Sequence, residues 1–114
     1  MQIKRNSRQQ RWREMLECAS ALTAILRRET RARHVRHEAE AAMIAAERAV
    51  LESNDEDSAV EGFVSWLPEA RDTIERARAA EREVGIDVAV AYQAFVMARN
   101  ASEHCPVPDG DLRP

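Results

Sequence analysis

The residues best suited to chemistry lie together in the segment RRETRARHVRHE, residues 27–38. His34 and His37 are three residues apart with a carboxylate beside them, a spacing that can hold a metal ion on a helix. A closed zinc site needs four ligands, and the remaining candidates, His104 and Cys105, lie far away in the expected fold. We therefore predict no metal site and expect both histidines on an exposed, arginine-rich helix face.

The same segment belongs to a basic first third of the chain. Residues 1–37 carry ten positive and three negative side chains, a charge of +7. Because the net charge of the chain is −3, the remaining residues carry −10. This asymmetry suits either an acidic segment of the same chain, which we favour, or an anionic partner such as nucleic acid. Trp12 lies among the arginines, but no helix-turn-helix, RNA-recognition or zinc-finger pattern accompanies it. The candidate anion-binding residues are Arg5, Arg8, Arg11 and Arg13.

The sequence offers no catalytic motif. It has no glycine-rich phosphate loop, no nucleophile motif and no distinct carboxylate pair, so we predict a protein that is not an enzyme and has no cofactor. Cys18 and Cys105 stand alone, which indicates a reducing compartment rather than a disulfide framework. No apolar run is long enough to span a membrane, and no secretory signal is evident, so we predict a cytoplasmic location.

Two long helices are predicted, because alanine supplies much of the apolar composition and favours helix over a thick core. The first helix runs from about Gln9 to Glu52. The segment SNDED predicts a turn, and the capping-box pattern from Ser58 to Glu61 predicts the start of the second helix. Pro68 predicts a kink there. Apolar residues repeat at steps of three and four along two seams: Cys18, Ala21, Ile25, Arg28, Ala32, Val35, Ala39, Ala42, Ala46 and Ala49, and then Val60, Phe63, Leu67, Ala70, Ile74, Ala77, Glu81, Val84, Val88, Ala91, Phe95 and Ala98.

The two seams predict an all-α fold, an antiparallel two-helix coiled-coil hairpin with its turn near residues 53–58. Each seam has one charged exception in the facing range, and we predict that Arg28 faces Glu81 and fixes the register. The hairpin domain covers residues 1–104. Residues 105–114, with three prolines and a glycine, are expected to form a disordered tail.

The open end of this hairpin carries more apolar residues than two helices can bury. The segment VGIDVAVAYQAFVMA is apolar nearly all round, so another helix is needed to cover it. That helix could come from a second copy, which would make a homodimer with a four-helix arrangement, or from a different protein. The predicted partner-binding residues are Trp12, Met15, Leu22, Leu26, Val88, Tyr92, Phe95 and Val96.

In its organisation the chain resembles the small bacterial coiled-coil stalk proteins of flagellar and type III secretion export, which are basic at the start and form a two-helix hairpin. That resemblance, carried by the seams and the charge over residues 1–104, implies binding to an export ATPase and chaperones. From the residues themselves we expect a non-enzymatic interaction or adaptor protein that docks a partner through the open end. The alternatives are a nucleic-acid-associated protein and a small phage or plasmid inhibitor that occupies a host protein surface.

Overall fold

The protein is an all-α helical hairpin, as predicted. The computed structural model describes residues 2–103, with side chains from Ser7 onward. Helix α1 spans Gln2–Glu52 and helix α2 spans Glu56–Glu103. The predicted tail, 105–114, lies outside the described residues.

The connection between the helices is shorter than the predicted turn, and the residue that caps α2 is not the predicted Ser58. Between the end of α1 and the start of α2, residues 53–55 are non-helical. The Oγ of Ser53 accepts a hydrogen bond from the Asp55 amide at 3.2 Å, and the Asp55 carboxylate accepts one from the Ser58 amide at 3.4 Å. Asp55 is therefore the N-cap of α2, and Ser58 lies within the first turn instead of starting the helix. Glu56 and Asp57 follow the cap, where negative charge is favourable beside the positive end of the helix dipole.

Helix α2 continues through Pro68 and Gly85, the two residues within it that least favour a helix. Pro68 lies inside the helix, and its missing N–H leaves the Val64 carbonyl without its usual donor. Both Pro68 and Val64 are exposed, so this carbonyl lies on the solvent side. Gly85 keeps helical geometry, and open space surrounds the position that a Cβ would occupy. The unbroken helix agrees with the prediction that Pro68 does not end it.

In α1, every second residue of the predicted seam is among the less exposed residues, and the residues between them are exposed. Less exposed residues recur at Met15, Cys18, Leu22, Ile25, Glu29, Ala32, Arg36, Ala39, Met43, Ala46 and Val50. The intervening members therefore lie one residue later than predicted, for example Arg36 where Val35 was expected. In α2 the predicted seam agrees with the burial from Phe63 to Ala98, whereas Val60 is exposed.

The chain divides into two compact units. The turn unit is Arg27–Ile86, and the terminal unit combines Met1–Leu26 with Asp87–Pro114. Among the described side chains, the buried ones are Ala70, Ile74, Ala77 and Val84, and all four belong to the turn unit. Burying residues of the size of Ile74 and Val84 contributes roughly 1.5–3 kcal/mol each. The described part of the terminal unit contains no buried residue, although it holds large apolar side chains.

Candidate interaction surface

Four charged side chains connect the two helices inside the turn unit. Arg36 lies on the α1 seam and donates hydrogen bonds to Glu81 on the α2 seam and, at 2.7 Å, to Glu40. Arg78 of α2 donates to the other Glu40 oxygen from Nη2 at 2.7 Å and from Nε at 3.0 Å. Glu40 thus joins one arginine from each helix. The network fixes the axial position of one helix on the other, because each pair has a restricted geometry.

The charges in this network stabilise one another. The pKa of Glu40 lies below its ordinary value of 4.5 because Arg78, and then Arg36, donate hydrogen bonds to its carboxylate. The pKa of Arg36 is raised by its hydrogen bonds to Glu81 and Glu40. Arg36 can occupy a seam position because its aliphatic stem packs between the helices while its guanidinium reaches the carboxylates.

The contact seen for Glu81 differs from the predicted register pair. The structure places Arg36 against Glu81, about two helical turns along α1 from Arg28. Arg28 is exposed, and its neighbour Glu29 is the less exposed residue. The prediction placed a charged pair across the seams at Glu81, and the structure pairs Glu81 with an arginine eight residues after Arg28, so the facing positions of the two helices differ from the predicted register by about two turns.

Each helix has two flanks, one formed by the residues that directly follow seam positions and one by the residues that directly precede them. The ion pairs of the turn unit show which flank of α1 lies beside which flank of α2. Glu40 follows the seam residue Ala39, and Arg78 follows the seam residue Ala77. Because Glu40 and Arg78 are in contact, the residues that follow seam positions lie on one side of both helices. The seam repeat continues in phase along each helix, so the same rule applies inside the terminal unit.

Within the terminal unit, this side is apolar. We call it the Trp12 face. Trp12, Leu16 and Tyr92 are 54%, 49% and 58% exposed, and Leu26 is 41% exposed. The hydroxyl of Thr23 donates to the Ala19 carbonyl at 2.9 Å, so its polar group is bonded within its own helix. The face consists of Trp12, Leu16, Ala19, Thr23 and Leu26 from α1, and Ala89, Tyr92 and Val96 from α2.

The eight residues predicted as a partner surface all belong to the terminal unit, but they occupy two different places. Four of them follow seam positions and belong to the Trp12 face: Trp12, Leu26, Tyr92 and Val96. The other four are half-buried seam residues: Met15, Leu22, Val88 and Phe95. The Phe95 ring also lies 6.0 Å from the guanidinium of Arg99. Substitution of a seam residue would therefore disturb the hairpin as well as any partner contact.

Charged residues of both signs lie around the Trp12 face. Arg13 follows Trp12, and Arg99 lies one turn beyond Val96. The acids Glu14, Glu17 and Asp87 each precede a seam residue and so lie on the opposite flank. The remaining acid among the described side chains of this unit is Glu103, at the end of α2. Glu17 lies four residues after Arg13 and Glu103 four residues after Arg99, so each arginine has an acidic neighbour on its own helix surface.

The predicted anion-binding arginines do not form one stripe. Arg11 is half-buried at a seam position, and Arg8 lies one helical turn before it in the same repeat. Arg13 is exposed and points about 160° away from Arg11 around the helix, at ~100° per residue. The side chain of Arg5 lies outside the described part of the chain. A groove that follows a phosphate backbone would need these charges on a shared face.

The sequence-based list omitted four members of this surface: Leu16, Ala19, Thr23 and Ala89. Leu16 is as exposed as Trp12 and lies one turn along the same face. Val90 and Met97 are also exposed, but they precede seam residues and lie on the acidic flank. The signal that could have found Leu16 was its spacing of four from Trp12. That signal is visible only once the α1 seam is placed correctly.

A depression near the turn is the other apolar feature. Phe63 and Trp66 pack with ring centroids 6.0 Å apart, beside small residues of both helices such as Ala46 and Gly62. The turn unit also exposes Ile44 and Val64. These side chains are separated by charged residues on the same flank and form no continuous face.

The comparisons with known proteins give no relative. No family model, no curated protein and no solved structure matches the chain. Neither described helix has an apolar stretch sufficient to cross a membrane. Within residues 2–103, no three histidine, cysteine or acidic side chains gather as metal ligands, and His34 instead pairs with Glu38 at 3.0 Å.

Proposed function

We propose that the protein is a non-enzymatic helical interaction protein that binds another protein through the Trp12 face. One observation carries the proposal. The buried side chains among the described residues lie in the turn unit, while the terminal unit buries none of its described side chains and exposes Trp12, Leu16 and Tyr92. A unit that holds large apolar residues without burying any gains stability when a partner covers them.

The composition of the face favours a protein partner. Tryptophan, tyrosine and arginine are the residues that contribute most often to binding energy at protein interfaces. Burial of an aromatic side chain removes roughly 150–250 Å² from water, so Trp12 and Tyr92, each about half exposed, would together contribute on the order of 200 Å². The turn unit, with its own core and charge network, would serve as the rigid support.

The test compares two exposed apolar positions on the same helix. Trp12→Ser removes the largest side chain of the face, and Ile44→Ser is the matched control, because Ile44 is 56% exposed but belongs to the turn unit. The full chain and both variants are immobilised and exposed to an extract of the native host. We expect the bound proteins to be lost with Trp12→Ser and retained with Ile44→Ser, while circular dichroism shows equal helicity.

The alternatives predict different outcomes of this experiment. A nucleic-acid-associated protein would retain its ligand in Trp12→Ser and lose it with rising salt, because phosphate contacts release counterions. An inhibitor of a host enzyme and a component of an export system would both use the Trp12 face. They differ in the protein captured. Equal capture by the native chain and Trp12→Ser would remove the basis of the proposal.

A further inference from the structure

We draw no further inference here: the strongest candidate, the exposed apolar patch of the Trp12 face in the terminal unit, belongs to the interaction surface already described, and nothing in the structure shows what covers it.

Discussion

At the scale of single residues, Glu40 is the carboxylate that joins the two helices in the turn unit. It accepts hydrogen bonds from Arg36 and Arg78, which come from different helices. Salt bridges between fully exposed side chains contribute little, but Glu40 and Arg36 are both partly shielded. The network stabilises mainly one alignment of the helices, because displacement by one turn would separate Arg78 from Glu40 and Arg36 from Glu81.

We expect Glu40→Gln to lower the melting temperature at neutral pH, because both arginines lose a charged acceptor. Glu38→Gln is the control, since Glu38 pairs only with the exposed His34 and should melt like the native chain. The difference in melting temperature between the native chain and Glu40→Gln should also depend on pH. The folded-state pKa of Glu40 is lowered, so its stabilising effect is present above the ordinary value of 4.5 and is lost as the pH falls through the folded-state pKa.

Thermal melts at several pH values measure this dependence. The difference in melting temperature between the native chain and Glu40→Gln should be constant from neutral pH down to about pH 5 and then become smaller. A gap that stays the same down to about pH 3 would show that the Glu40 charge contributes nothing.

At the scale of the helices, the connection depends on Asp55 rather than on Ser58. We expect Asp55→Ala to destabilise the protein by about 1 kcal/mol, because the Ser58 amide loses its acceptor and the first turn loses a negative charge. Ser58→Ala should change the free energy of unfolding by much less, since the Ser58 side chain makes no capping contact. Urea unfolding compares the two variants, and an effect of Ser58→Ala as large as that of Asp55→Ala would restore the capping box as the start of α2.

The sequence predicted α2 better than α1, and the reason is the size of the side chains. In α2, Phe63, Ile74, Val84 and Phe95 mark the seam unambiguously. In α1, alanine occupies so many positions that two phases fit it almost equally well. Burial of Arg36 and Glu29 is favoured by ion pairs across and along the helices, which an apolar pattern does not reveal.

The division of the predicted partner surface has the same origin. Trp12, Leu26 and Tyr92 were found because they are large and apolar, and the structure leaves all three exposed. Met15 and Phe95 were grouped with them because sequence alone could not separate seam residues from their neighbours. One displaced position in a heptad moves a side chain by about 100° around the helix, which is enough to exchange the seam for the flank.

At the scale of the whole molecule, stability should be unevenly distributed between the two units. The turn unit contains Ile74, Val84 and the charge network, whereas no described side chain of the terminal unit is buried. Local opening is governed by buried apolar contacts of this kind. We therefore expect amide hydrogens of residues 70–84 to exchange most slowly and those of residues 7–26 and 87–103 to exchange faster.

Amide exchange followed by mass spectrometry measures this difference, and saturation with the partner should slow exchange in the terminal unit alone. The turn unit is the internal control, since its rates should not change. Equal protection of both units in the isolated chain would contradict the view that the terminal unit is completed by a partner.

The terminal unit is built from two segments separated by the sixty residues of the turn unit, Arg27–Ile86. During translation, the segment with Trp12 and Leu16 is made before the segment with Tyr92 and Val96. At about 5–20 residues per second, the ribosome needs roughly 3–12 seconds to add the intervening residues. Throughout that interval the first segment has no second helix to pack against, so its apolar side chains stay exposed to water.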